Sequence, residues 1–115
     1  MRLPNAENAE IPESKITKYL LSTTHRAGKS KASFFMQFGF DLDHWKALAL
    51  ALKQHALENE VVLEEKTIFG TRYIIDGLLK APDGRWLNVR AAWYITTDRD
   101  VPRFITAHPL RRRRS

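Results

Sequence analysis

The sequence contains no cysteine, so disulfide bonds and thiolate metal ligands are excluded. No apolar run approaches the roughly 20 residues needed to cross a bilayer. The first residues lack the apolar segment of a secretory signal. The chain has 115 residues, which suits one domain with a modest core. We therefore expect a single-domain cytoplasmic protein.

Motifs for metals and nucleotide cofactors are also missing. There is no Walker lysine motif, no GxGxxG and no HExxH. His44 and His55 fall three turns apart on one predicted helix, about 16 Å, which is too far to share an ion. Both are interpreted as surface or helix-flank histidines. We expect neither a metal site nor a cofactor.

Charge is unevenly distributed. The formal net charge is +6, and Arg111 to Arg114 lie at the C-terminal end. Residues 14–53 hold seven basic and two acidic side chains, whereas residues 54–66 hold four acidic and one basic. Such a basic N-terminal half favours a polyanionic partner, either RNA or an acidic protein. The arginine run alone decides nothing, because it is also typical of a solvated tail.

Apolar spacing predicts three helices in the first half of the chain. The first spans about residues 15–22 with Ser14 as its N-cap, and the second spans Lys31 to Phe38 with Ser30 as its N-cap. Gly39 fits the position after the second helix, with Phe40 folding back on it. The third follows two aspartates and carries the clearest apolar stripe: Trp45, Leu48, Ala49, Leu52 and Ala56.

After Asn59 the pattern changes to short strands separated by turns. The predicted strands are an edge strand over 61–68, then Arg72 to Lys80, Arg85 to Thr97 and Pro102 to His108. On the last strand, Phe104, Thr106 and His108 are predicted to alternate with Arg103, Ile105 and Ala107.

This order predicts an α+β fold, with two to three N-terminal helices packed on one face of a four-stranded antiparallel sheet. Residues 1–13 are expected to form an extended arm anchored by Leu3 and Ile11. Residues 14–110 would form the domain, and 111–115 a basic tail.

The stretch from His25 to Phe40, HRAGKSKASFFMQFGF, carries the chemical signal. Its cationic first half precedes a helix, whose N-terminus favours anions. RNA cleavage without a metal needs a base, an acid and cations for the phosphorane. The candidate catalytic residues are His25 as base, Lys31 for charge, Thr106 as a hydroxyl donor and His108 as a second imidazole.

Four further residues are candidates for substrate binding: Arg26, Lys29, Arg90 and Tyr94. Tyr94 and Trp86 fall on the more polar face of their strand, where either could stack a base. The alternatives are a solvated basic loop with ordinary edge-strand side chains, a non-catalytic module that binds an acidic protein or nucleic acid, and a protein that dimerises by burying its edge strands.

Ordered motifs along the chain add a resemblance. They are LPNAENAEI, KITKYLL, HRAGKSKASFF followed by GF, FGTRYIIDG, PDGR, the tryptophan of AAWYI, and PRFITAHPL. Together they resemble the small bacterial family called domain of unknown function 6883. The layout is similar to that of the barnase, EndoU, colicin and RelE-like RNases found as bacterial toxins. The ending resembles the TAYP strand of that group, with His108 where tyrosine is more usual.

The resemblance implies a toxin-like, metal-independent endoribonuclease paired with an antitoxin or immunity protein. It implies His25, Lys31 and Thr106 as site residues.

Overall fold

The computed structural model describes residues 1–24, 26 and 29–110. Three N-terminal helices pack against a four-stranded antiparallel sheet, which confirms the predicted α+β fold. The elements are a 3₁₀ turn in the N-terminal arm (Ala6–Asn8), α1 (Glu13–Lys15, continued by a π-helical turn, Ile16–Leu20), α2 (Lys29–Met36), α3 (Trp45–Glu58), β1 (Val61–Lys66), β2 (Gly70–Lys80), β3 (Trp86–Thr96) and β4 (Arg103–Pro109).

The first helix begins earlier than predicted. Its N-cap is Pro12, so Ser14 lies inside the first turn and is not the cap. The chain then forms a π-helical turn, with Ile16 and Leu20 fully buried. The π-helical turn keeps these two apolar side chains in the core, while Tyr19 lies half-buried at the side of the helix.

The second helix is shifted towards the N-terminus relative to its prediction. It starts at Lys29, so Ser30 is a helical residue and not the N-cap. The regular helix ends at Met36, two residues before the predicted end. The predicted cap is nevertheless present, because Gly39 has a φ of 99° and the Phe40 N–H donates to the Phe35 carbonyl at 3.4 Å. The Phe35 and Phe40 rings lie 6.0 Å apart, which completes the Schellman-type end.

The third helix buries its predicted stripe, with Leu48, Leu52 and Ala56 fully inaccessible. His44 is exposed as expected, but the surface interpretation of His55 is wrong. His55 is 1% exposed, and its Nε2 lies 3.2 Å from the Gly77 carbonyl and 3.0 Å from the Val89 carbonyl. The helix packs over the sheet at this turn, so backbone carbonyls accept from Nε2 inside the core, while the buried Nδ1 has no hydrogen-bond partner among the described residues.

The sheet has the order β1-β2-β3-β4, and helices cover one of its faces. We call the covered side the inner face and the opposite side the outer face. No helix in the described ranges is long and apolar enough to cross a membrane. Alternation along β2 and β3 places these side chains in the core: Tyr73, Ile75, Leu79, Leu87, Val89, Ala91 and Trp93.

A bulge in β4 corrects the predicted alternation of that strand. The register pairs Ala92 with Thr106 and Trp93 with Phe104, so Ile105 is an extra residue. Phe104 is therefore buried in the core while Thr106 lies on the outer side, and the prediction that they share a face is wrong. Period-two alternation does not hold across a bulge.

The N-terminal segment runs beside the start of β4. The Glu10 N–H donates to the Pro102 carbonyl at 2.8 Å, and the Phe104 N–H donates to the Glu10 carbonyl at 2.9 Å. Leu3 is buried, and Ile11 packs partly against the core. This path brings α1 directly alongside the edge of β4.

Candidate functional site

Side chains from three elements meet where α1 lies against the edge of β4. The Tyr19 hydroxyl is 3.1 Å from the Thr106 hydroxyl. The Nζ atoms of Lys31 and Lys15 lie 5.3 Å and 5.7 Å from the centroid of the Tyr19 ring. We call Lys15, Tyr19, Lys31 and Thr106 the Tyr19 cluster. Two predicted catalytic residues, Lys31 and Thr106, thus contact the same side chain.

The surroundings of Tyr19 favour its ionised form. Burial by itself raises the pKa of Tyr19, but hydrogen bonding with Thr106 and Lys31 and the charges of Lys31 and Lys15 outweigh it, so the pKa lies below its usual value. A phenol in this setting can bind an anion through its neighbours or exchange a proton. Sequence reasoning did not single out Tyr19, which follows Ile16 on the apolar face of the first predicted helix. Lys15, four residues earlier on that face, was the available signal.

A second group of polar residues lies on the outer face of the sheet. Arg90 donates to Asp76 from Nε at 2.7 Å and from Nη2 at 2.8 Å. These hydrogen bonds and the Asp76 charge raise the pKa of Arg90. Sequence reasoning missed Asp76, although an acidic residue on β2 opposite an arginine on β3 is a recognisable cross-strand pair once the register is known.

This ion pair borders a cavity of about 480 Å³, which we call the outer-face cavity. Its lining residues are Val62, Leu63, Arg72, Ile74, Asp76, Arg90 and His108. His108 is the register partner of Arg90. Its Nδ1 lies 3.2 Å from the Pro109 carbonyl, so Nδ1–H donates and Nε2 is left as the acceptor of the neutral ring.

The Tyr19 cluster and the outer-face cavity adjoin along β4. Thr106 pairs with Ala92 and His108 with Arg90, so both lie on the outer side, two residues or roughly 7 Å apart. The fold therefore brings Lys31, Thr106, His108 and Arg90 to one continuous region. This arrangement combines ammonium, hydroxyl, imidazole and guanidinium groups along one edge of the sheet face that no described helix covers.

Two aromatic candidates lie further away on the same face. Tyr94 is four residues from Arg90 along β3, roughly 13 Å, and its hydroxyl is 3.1 Å from that of Thr67. Trp86 lies four residues beyond Arg90 in the other direction and is 54% exposed. Neither contacts the Tyr19 cluster, so a stacking role for them remains a prediction.

The remaining predicted residues precede α2. His25 lies outside the described residues, as does the Lys29 side chain, and Arg26 is an exposed turn residue. Their approach to β4 therefore stays a prediction. Within the described ranges, no group of three or more histidines, aspartates or glutamates is arranged to hold a metal ion.

Comparison with known proteins gives similar solved structures and one family. A chain of the "Contact-dependent growth inhibition toxin - immunity protein complex from Klebsiella pneumoniae 342" superposes with a TM-score of 0.68 and 19% identity. The match covers 87% of this chain and 98% of that chain, and at this identity the likeness is one of fold. No curated protein matches. The model of the domain of unknown function DUF6883 matches residues 2–111. The chain therefore belongs to the DUF6883 family.

Proposed function

We propose that this DUF6883 protein is a toxin-like endoribonuclease that needs no metal and is paired with an antitoxin or immunity protein. The Tyr19 cluster carries the proposal, because it combines Lys31 and Thr106 with a phenol at the edge of an uncovered sheet face. The fold likeness to a chain of a toxin–immunity complex supports it. The basic N-terminal half fits a polyanionic substrate and an acidic inhibitor protein alike.

The proposed reaction is an attack by the ribose 2′-hydroxyl on the adjacent phosphorus. The 2′-hydroxyl loses its proton to a base, the O2′–P bond forms, the P–O5′ bond breaks, and O5′ takes a proton from an acid. His25 would be the base. His108 would be the acid in its protonated form, giving up the Nε2 proton while Nδ1–H stays bonded to the Pro109 carbonyl. Lys31 and Thr106 would stabilise the charge on the non-bridging oxygens. Arg26 and Lys29 would attract the RNA backbone.

The test is incubation of purified protein with total RNA in the presence of a chelator. We expect cleavage by the wild type, and a loss of about a hundredfold or more in Lys31→Ala and Thr106→Val, because charge stabilisation in the transition state is a large contribution to catalysis. Lys46→Ala is the matched control, since Lys46 is an exposed lysine on α3. Absence of both cleavage and growth inhibition by the wild type would refute the proposal.

The same basic residues also fit a module that binds an acidic protein or nucleic acid without turnover. Such binding weakens steeply with salt, and His25→Gln would retain it. Salt-sensitive RNA binding by wild type, with intact RNA recovered afterwards, would favour this second function.

A further inference from the structure

The outer-face cavity is built differently from the Tyr19 cluster. Its floor is Ile74, which is 5% exposed, and part of its wall is formed by Val62 and Leu63 from β1, which are 55% and 49% exposed. Its polar part is formed by Asp76, Arg90, His108 and Arg72, of which Arg72 pairs with Glu65 at 3.2 Å. An apolar floor with a few fixed polar groups is typical of a site for a planar organic ligand.

The hydrogen bonds to Asp76 use only some of the N–H donors of Arg90. Arg90 uses Nε and one N–H of Nη2 towards Asp76. One N–H of Nη1 and the second N–H of Nη2 form the other edge of the guanidinium. Among the described residues, none of the hydrogen bonds in which Arg90 takes part uses this edge. Two parallel donors therefore remain for a ligand with two adjacent acceptors.

Charge decides which ligand suits this edge. The Asp76 carboxylate neutralises Arg90, so the pair attracts a phosphate much less than a free arginine would. A neutral heterocycle does not need a net positive charge for binding. The O6 and N7 atoms of guanine are the acceptor pair that an arginine edge matches best. Lys31 and Lys15, which have no carboxylate partner among the described ion pairs, are the better phosphate ligands.

We propose that the outer-face cavity is a nucleobase subsite that binds guanine, with the free edge of Arg90 donating to O6 and N7 and the ring lying over Ile74. The inference rests on the proposed function for its biological role. The register supports it, because His108 and Arg90 are partners and Thr106 is two residues away. A base in the cavity would thus lie next to the phosphate held by the Tyr19 cluster.

Nucleoside binding tests the subsite without relying on cleavage. Guanosine, inosine, 7-deazaguanosine and uridine are titrated separately into the full chain, followed by amide NMR. Guanosine and inosine, which share O6 and N7, should give saturable shifts at Ile74, Arg90 and His108. 7-Deazaguanosine, which lacks N7, should bind about tenfold more weakly. Inorganic phosphate should instead shift Tyr19 and Lys31.

Arg90→Lys is the decisive variant, because it keeps the positive charge but removes the paired donors. We expect guanosine affinity to fall about tenfold. Arg85→Lys is the matched control, since Arg85 also pairs with an aspartate, Asp83, at 2.7 Å but lies outside the cavity. It should bind guanosine as the wild type does.

If Arg90→Lys does not fold, Leu63→Ser serves instead, because Leu63 is a half-exposed wall residue. It should weaken the binding of all nucleosides while leaving the ratio of guanosine to 7-deazaguanosine affinity unchanged.

Equal binding of guanosine and 7-deazaguanosine by the wild type, or chemical-shift changes spread away from the cavity, would overturn the subsite. Guanosine binding in a protein that cleaves no RNA would overturn the nuclease proposal alone, and cleavage without nucleoside binding would overturn the subsite alone.

Discussion

The two faces of the sheet are built from alternate residues of the same strands, yet they differ in how polar and how accessible their side chains are. On the inner face Trp93 and Phe104 are fully buried, with their ring centroids 5.3 Å apart. On the outer face the neighbouring positions carry Arg90, Tyr94 and His108, which remain partly accessible. The inner face supplies the stability of the fold, and the outer face is left to present polar groups in fixed positions.

The largest expected difference between the two faces is between two adjacent residues of β3. Trp93→Ala should lower the free energy of unfolding by about 3–5 kcal/mol, because it leaves a large cavity in the core. Tyr94→Ala, one residue later on the other face, should cost about 1 kcal/mol or less. Chemical denaturation measures both. Equal losses would mean that the outer face is also part of the core.

His55, packed against the inner face, should make stability depend on pH. Burial lowers the pKa of His55 although its hydrogen bonds to the Val89 and Gly77 carbonyls oppose the shift. The unfolded chain therefore binds more protons, and the free energy of unfolding should fall as pH drops below the unfolded value of about 6.5. His55→Gln should flatten this dependence relative to wild type, whereas the exposed His44→Gln should not. The measurement is denaturation at a series of pH values.

The pKa values of Tyr19 and Tyr73 should be shifted in opposite directions from the usual value for tyrosine. Burial and the Glu64 charge raise the pKa of Tyr73, whereas that of Tyr19 is lowered. Phenolate absorbance during an alkaline titration should show an early component that disappears in Tyr19→Phe and persists in Tyr73→Phe. Lys31→Ala should move this component to higher pH. A first component that survives Tyr19→Phe would contradict the electrostatic picture of the cluster.

The smallest effects should come from ion pairs within the outer face. Asp76→Asn should lower the free energy of unfolding by about 1 kcal/mol, since Asp76 is largely buried but Arg90 remains partly solvated. Glu65→Gln removes the exposed pair with Arg72 and should cost less than about 0.5 kcal/mol. A larger loss of unfolding free energy in Glu65→Gln than in Asp76→Asn would show that solvent exposure does not determine how much each ion pair contributes to stability. Thermal melts of both variants provide the comparison.

Local patterns in the sequence predicted those parts of the fold that depend on local interactions. The stripe on α3 and the glycine end of α2 depend on spacing within one element, and both are confirmed. The assignment of Trp86 and Tyr94 to the more polar face of their strand is likewise confirmed, because both are more exposed than the neighbouring Leu87 and Trp93. Whether His55 faces solvent or the sheet depends on how α3 is rotated against distant strands. Its spacing along the helix therefore could not decide its burial.

The candidate site was predictable in residue type but not in arrangement. Lys31 and Thr106 were both predicted, and the structure places them around Tyr19, which was not predicted as a site residue. The contact depends on the N-terminal segment running beside β4, a pairing separated by many residues in the sequence. Asp76 became visible only through its register with Arg90. The convergence of His25 with these groups remains a prediction.

Ile105, the extra residue of the β4 bulge, has a consequence for how this strand tolerates changes in length. A strand one residue shorter between Phe104 and Thr106 would be regular, and it would still direct the aromatic ring inward and the hydroxyl outward. Loss of one residue between Thr106 and His108 would instead turn the imidazole towards the hydrophobic interior. Insertions and deletions in related chains should therefore accumulate before Thr106 and be avoided after it.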